Sequence, residues 1–301
     1  MKLTTVILFL IICTACKENA IQENQSNSLQ QQKQAKEAAD EDLTLLDSVV
    51  HPVELITNDT SENHEPVIEA EDKMEETEIT PTLEIIHNYT EYNAFLTAHV
   101  TSSGKVNYSK IKQNLRQLEN ILTFIEINQP GENWTRNQKL SYWINSYNAY
   151  TLYFVAKEFP VNSILDINAK PWDVKFIPSQ NGLISLNDIE HKKIRAKFNE
   201  PRIHFALNCA SQSCPQLLNR AFKPTLLNNQ LEKQTLNFLN DSSKNNLSNA
   251  SNIEISSLFD WYKDDFSKNG QNVIHFIQKY NPQTTSDAVI SFMEYSWDLN
   301  N

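Results

Sequence analysis

The chain has 301 residues, of which 26 are Lys or Arg and 37 are Asp or Glu, so its formal net charge is −11. Seventeen of the acidic residues and four of the basic ones lie at positions 17–80, so the negative charge belongs mostly to that segment. Because no basic patch is visible, the composition excludes a typical nucleic-acid-binding protein, and we expect no nucleic acid partner. Four glycines are too few for Gly-rich phosphate loops or a turn-dense all-β fold.

The N-terminal residues have the order of an export signal. Lys2 precedes an apolar run, Val6–Ile12, that is too short to cross a bilayer as a helix and is typical of a secretory signal. A pair of small residues then leads into Cys16, and this order resembles the bacterial lipobox, with Cys13 where leucine is more usual. We predict a cleaved signal peptide over residues 1–15 and a lipid, such as palmitate, on Cys16.

This resemblance implies an envelope lipoprotein whose membrane partner is reached through the lipid on Cys16. Lys17, directly after that cysteine, does not resemble an inner-membrane retention signal, so the outer membrane is the expected location. Two alternatives stay open: an ordinary secretory signal cut nearby, or an uncleaved anchor.

The rest of the chain divides by composition into two parts. Residues 16–81 contain no aromatic residue and no glycine, and are rich in Gln, Asn and acidic residues. Such a segment buries too little apolar area to offset its chain entropy, and its like charges favour extension, so we predict a disordered acidic tether. Residues 82–301 hold every Tyr and Trp and all but one Phe, and are predicted to form one globular domain.

Apolar residues at helical spacing predict most of the elements of this domain. The predicted helices cover residues 89–99, 110–127, 135–159, 185–198, 224–240, 256–266 and 273–280. Pro160 ends the third of them. Ser185 and Asp188 have the Ser-x-x-acid spacing of a capping box and open the fourth.

Strand patterns are short and few. They cover residues 105–108, 174–177, 183–186, 202–207, 253–255 and 289–295, and the second and third flank a hairpin-like break. Together with the helices, they predict an α+β fold, a helix-rich single domain with a small, mostly antiparallel sheet.

Several segments carry a family resemblance. Residues 142–149 read YWINSYNA, residues 185–191 read SLNDIEH, residues 201–215 read PRIHFALNCASQSCP, and residues 295–300 read YSWDLN. In this order the chain resembles, over about residues 100–300, the DUF547 family of domains of unknown function. The resemblance implies no established activity, and it directs attention to the residues in these segments.

Two cysteines, Cys209 and Cys214, remain once the signal and the lipid site are set aside, and an oxidising compartment favours a disulfide between them. In a continuous helix their Cα atoms would lie about 8 Å apart, beyond the roughly 7 Å limit, so the intervening loop must fold back. The domain is then a binding or scaffolding module, with a protein or small-molecule partner that the sequence does not identify. Its Asn and His side chains would be buried and hydrogen-bonded to backbone.

The alternative hypothesis is a cysteine hydrolase or acyltransferase. Cys209 would attack a carbonyl carbon, with His191 or His204 as general base. If residues 203–207 form a strand, His204 and Cys209 lie on opposite faces, which favours His191 as the base. The proposed supporting residues are Asn208 and Ser213 for the oxyanion, and Asn145 and Asn148 for the imidazole. Arg202 could bind a substrate carboxylate, but a helix-capping or salt-bridge role is favoured.

A third hypothesis is a zinc site, made by His191 or His204 with the two thiolates, although Cys-x4-Cys is not a common zinc spacing. The sequence otherwise predicts no cofactor and no resident metal. Glu190 is expected to pair with Lys192 or Lys193 at the surface. The aromatic and acidic residues at 259–266 are expected to form a helix with a solvated face.

Overall fold

The structure is a computed structural model that describes residues 88–301. The predicted signal peptide, the lipid site at Cys16 and the tether lie outside the described residues. Across 88–301 no helix combines the length and the apolar character that a membrane crossing requires.

Four helices make the first half of the domain: α1 (Thr90–His99), α2 (Tyr108–Gln113), α3 (Leu115–Ile127) and α4 (Arg136–Glu158). Helix α4 is central, since it packs against α2, α3 and the later π-helix, and most of its residues from Leu140 onward are buried. Thr135 begins it with a capping box: its hydroxyl accepts from the backbone N–H of Gln138, whose side chain accepts from the Thr135 N–H.

A hairpin and a π-helix follow. Strands β1 (Ile177–Ser179) and β2 (Gly182–Ile184) pair antiparallel, and a π-helix spans Asp188–Arg195. The Ser185–Asp188 capping box is confirmed, with reciprocal backbone-to-side-chain bonds of 2.9 and 3.1 Å.

The strand predicted at residues 202–207 is wrong, because Pro201–Phe205 is a 3-10 helix. Proline at its start fixes φ in the helical range, and the backbone bonds close locally, as from the Ala206 N–H to the Ile203 carbonyl. A short apolar run fits a buried helix as well as a strand, so the pattern alone does not distinguish them. The predicted strand at residues 105–108 is likewise reduced to a single bridge between Val100 and Val106.

The second half contains α5 (Leu227–Leu239), β3 (Asn252–Ser256), α6 (Leu258–Trp261), α7 (Lys263–Phe266), α8 (Val273–Gln278) and β4 (Val289–Met293). Strands β3 and β4 pair in parallel, with Ile253 opposite Ile290. The α+β class is confirmed. The described strands form two separate pairs, one antiparallel and one parallel, rather than one joined sheet.

The domain has two apolar clusters. The larger surrounds α4, and the smaller is aromatic and centred on Phe205, whose ring contacts those of Phe238, Phe259, Phe266 and Phe276. Phe205 belongs to the 3-10 helix, so this short element joins the second cluster directly to the segment that carries the cysteines.

Candidate functional site

A cavity of about 80 Å³ lies where the two apolar clusters meet, and it is called the aromatic cavity below. Six aromatic side chains contribute to its wall: Tyr147, Trp172, Trp261, Tyr262, Tyr295 and Trp297. The polar part of the wall includes Glu190, His191, His204, Cys209 and Cys214. The structure therefore brings together the two histidines and the two cysteines selected from the sequence.

Cys209 and Cys214 form a disulfide, with their Cα atoms 6.1 Å apart. The intervening loop folds back, as the geometric limit on disulfides demands. The Cys209 sulfur lies 3.3 Å from the Tyr295 hydroxyl and 3.4 Å from that of Ser211. Among residues 88–301, no imidazole hydrogen-bonds to either sulfur, so the sulfur environment consists of hydroxyls and backbone.

The loop after Cys209 has a constrained backbone. Ala210 has φ +69°, a left-handed conformation that is unusual for a residue with a Cβ. The Asn208 side chain stabilises it, because its oxygen accepts from the Ala210 N–H at 3.0 Å and its amide donates to the Pro215 carbonyl at 2.8 Å. Asn208 thus shapes the disulfide loop and does not line the aromatic cavity.

Two asparagines of α4 also bind backbone groups through both ends of their side-chain amides. The Asn148 amide donates to the Ala206 carbonyl and its oxygen accepts from the Asn208 N–H, each at 2.9 Å. Asn145 makes the equivalent pair of bonds with the backbone of Phe222, each at 2.8 Å. Both side chains are buried and satisfied by backbone, and neither lines the aromatic cavity.

Ser213 and Arg202 also lie outside the wall of the aromatic cavity. The Ser213 hydroxyl accepts from the Ser296 N–H at 2.9 Å. The Arg202 guanidinium makes a two-pronged contact with Glu200, at 2.7 and 2.8 Å, and reaches Glu232 at 3.0 Å. Of the roles considered for Arg202, the observed one is a salt bridge.

The histidines belong to a network that spans three elements. His204 donates from Nε2 to the Asp265 carboxylate at 2.8 Å, and Arg195 donates from Nε to the same oxygen at 2.6 Å. Another Arg195 N–H lies 2.6 Å from Nδ1 of His191. Because arginine has no acceptor, that Nδ1 accepts, and the His191 ring proton is on Nε2.

Burial and neighbouring charges set the ionisation of this network. Burial lowers the pKa of His204, an effect that the adjacent Asp265 carboxylate only partly offsets. Burial alone would raise the pKa of Asp265, but the contacts with His204 and Arg195 outweigh it and hold that pKa below its usual range. The network therefore contains a neutral imidazole beside an ionised carboxylate–guanidinium pair.

Glu190 does not pair with lysine at the surface, so that expectation is wrong. It is 5% exposed and lines the aromatic cavity. The reason is the π-helix, whose turns close at i+5, as in the 3.0 Å bond from the Ala196 N–H to the His191 carbonyl. Glu190 and His191 both lie about one turn before Arg195 in this helix, and both line the aromatic cavity.

Sequence reasoning missed Arg195 and Asp265 as members of the site. The i,i+4 spacing of His191 and Arg195 is a local signal that would have suggested their contact. Asp265 is 61 residues from His204, and no local pattern links the two. Its neighbour Asp264 is also an aspartate but is exposed, so residue type alone does not distinguish them.

No group of three His, Cys, Asp or Glu residues within 88–301 is arranged to hold a metal ion. The two cysteines required by the zinc hypothesis are joined to each other instead. The residues present therefore give no support to a metal centre.

Comparison with known proteins gives one match. Neither a curated protein nor a solved structure matches the chain. A family model described as "Protein of unknown function, DUF547" matches residues 131–239, a range that contains α4, the π-helix, the 3-10 helix and the disulfide. The match supports the DUF547 family, one of unknown function, for this part of the chain.

Proposed function

We propose that the domain is a ligand-binding module whose binding site is the aromatic cavity, with the Cys209–Cys214 disulfide as a structural part of the wall. The observation that carries this proposal is the state of Cys209: its sulfur is bonded to Cys214 and contacts the hydroxyls of Ser211 and Tyr295 rather than an imidazole. A nucleophilic cysteine requires a thiolate and a nearby base or cation.

The side chains that a hydrolase would use have other partners. Asn145, Asn148 and Asn208 bind backbone groups, and His204 is buried against Asp265. Aromatic walls with a few fixed polar groups are the usual composition of a small-molecule site. These features favour binding over acyl transfer.

The test has two readouts on the purified protein. Alkylation without reductant, followed by mass spectrometry, is expected to leave Cys209 and Cys214 unlabelled. A thermal-shift screen of amino acids, amines, sugars and carboxylates is expected to find compounds that raise the Tm, and to lose that effect in Trp261→Leu. Free thiols in the native protein would contradict the structural disulfide. An acyl-transfer activity that Cys209→Ser abolishes would establish the hydrolase alternative.

We propose in addition that the module is held at the outer membrane by a lipid on Cys16, with residues 16–81 as spacer. The lipobox-like order before Cys16 supports this. Metabolic labelling with palmitate is expected to mark the wild-type protein and not Cys16→Ser. Equal labelling of both would show that the lipid is not attached there.

A further inference from the structure

The aromatic cavity contains a carboxylate that forms no salt bridge within residues 88–301. Glu190 is 5% exposed, and among residues 88–301 no Lys or Arg forms a salt bridge with it. Burial and the nearby Glu190 carboxylate together raise the pKa of the Tyr262 hydroxyl well above its usual value. A buried carboxylate is costly unless it is paired, so its charge calls for a partner.

The nearest cation is already committed elsewhere. The guanidinium of Arg195 binds Asp265 and His191, each at 2.6 Å, and lies over the Tyr262 ring at 5.0 Å. Lys268 also contacts Asp265, at 3.2 Å. The charge of Asp265 is thus compensated directly. Glu190 is near enough to Arg195 to contribute, after Asp265, to the raised pKa of that guanidinium, but it forms no salt bridge with it.

A group of mutually packed aromatic rings lines the same cavity. Trp261 stacks with Trp297 at 5.8 Å between ring centroids, and Tyr295 lies 4.7 Å from the first and 4.6 Å from the second. Trp172 completes the group, 5.3 Å from Trp297. Aromatic faces attract cations through the ring quadrupole, and rings combined with a carboxylate are the usual surroundings of an ammonium group.

A ligand rich in hydroxyl groups fits this wall less well. Several polar atoms that it would need are already used: Nε2 of His204 by Asp265, Nδ1 of His191 by Arg195, and the Tyr295 hydroxyl by sulfur and Ser211. The volume of about 80 Å³ suits a head group rather than a polymer.

We propose that the aromatic cavity binds the alkylated ammonium group of a small ligand, with Glu190 as counter-ion and the faces of Trp261, Trp297 and Tyr295 as the cage. This inference rests on the proposed binding function and names the chemical class of its ligand.

The experiment compares choline with 3,3-dimethylbutan-1-ol, which has the same shape without the charge, by calorimetric titration of the full-length protein. Choline is expected to bind one-to-one, at least about tenfold more tightly than the neutral alcohol, a difference of about 1.4 kcal/mol. Glu190→Gln is expected to weaken choline binding by on the order of tenfold and to leave the alcohol unaffected. Glu254→Gln, an exposed change on β3, is the matched control and should change neither affinity.

A second pair of variants covers the case in which Glu190→Gln fails to fold. Trp261→Phe keeps an aromatic face and should retain most of the choline affinity, whereas Trp261→Leu should lose it. Equal affinity for choline and the alcohol, or no choline binding by the folded wild-type protein, would overturn the ammonium proposal. If sugars or carboxylates raise the Tm in the thermal-shift screen, the proposed binding function stands although the ammonium proposal fails.

Discussion

His204 donates from Nε2 to Asp265 over 2.8 Å, although 61 residues separate the two in the chain. The same carboxylate oxygen accepts from Arg195, so one oxygen joins the 3-10 helix, the π-helix and α7. Since His191 and His204 both line the aromatic cavity, this network holds that part of the wall in place.

Loss of the Asp265 charge should destabilise the domain. Asp265→Asn leaves Arg195 without its counter-ion in a half-buried position, and breaking such a pair costs about 3 kcal/mol. Chemical denaturation measures the change. Asp264→Asn, the exposed neighbour in the same helix, is the matched control and should stay within about 0.5 kcal/mol of the wild type. Equal effects of the two changes would show that the network contributes nothing specific.

Acid should weaken the domain before carboxylates titrate. Burial lowers the pKa of His204 below its usual 6.5, so below about that pH the unfolded chain binds more protons than the folded one. Stability therefore falls as the pH drops through 6.5 and below. Denaturation at several pH values should show that the free-energy difference between wild type and His204→Gln shrinks on acidification. A difference independent of pH between 7.5 and 5 would contradict this ionisation.

The depressed pKa of Asp265 acts at lower pH, with the same sign. Its folded-state stabilisation is fully present above the ordinary aspartate pKa of about 3.8 and disappears as the pH falls through the lower, folded-state pKa. In Asp265→Asn the wild-type loss of stability below pH 4 should therefore be reduced, a comparison that thermal melts at pH 3–5 can make. An unchanged acid limb in that variant would remove Asp265 from the explanation.

Reduction of the disulfide should cost stability without unfolding the chain. A loop of this length restricts the unfolded state by about 2 kcal/mol in the chain-entropy description. The melting temperature of the wild type should fall when a reductant is added. The Cys209→Ser/Cys214→Ser variant should have a lower melting temperature than the oxidised wild type, and the reductant should not change it. A wild-type melting temperature that reductant does not move would contradict a structural role for the bond.

The Asn148 side chain should stabilise the domain through both its amide N–H and its carbonyl oxygen. Asn148→Leu removes a donor and an acceptor, leaving the Ala206 carbonyl and the Asn208 N–H buried without partners, at about 1–3 kcal/mol for each group. Asn237→Ala, at an exposed position of α5, is the control and should be nearly neutral. If both variants unfold at the same denaturant concentration, the bonds of Asn148 are not stabilising.

Local patterns were enough to predict several features. The capping box at Ser185 depends on two residues three apart, and the long helix α4 on apolar spacing and Pro160, so neighbouring residues alone determine them. The choice of Cys209 and Cys214 also came from composition, by elimination of the two N-terminal cysteines.

The three-dimensional contacts decided the rest. Residues 202–207 fit either a strand or a short helix, and only their packing between α4 and the aromatic cluster resolved the choice. Glu190 became a wall residue because a π-helix turned it inward, and Asp265 differs from Asp264 only in the direction its side chain takes. Sequence alone thus predicted most of the longer helices and the reactive residue types. The pairing of His204 with Asp265 and the aromatic cavity depended on contacts between distant segments, which no local pattern encodes.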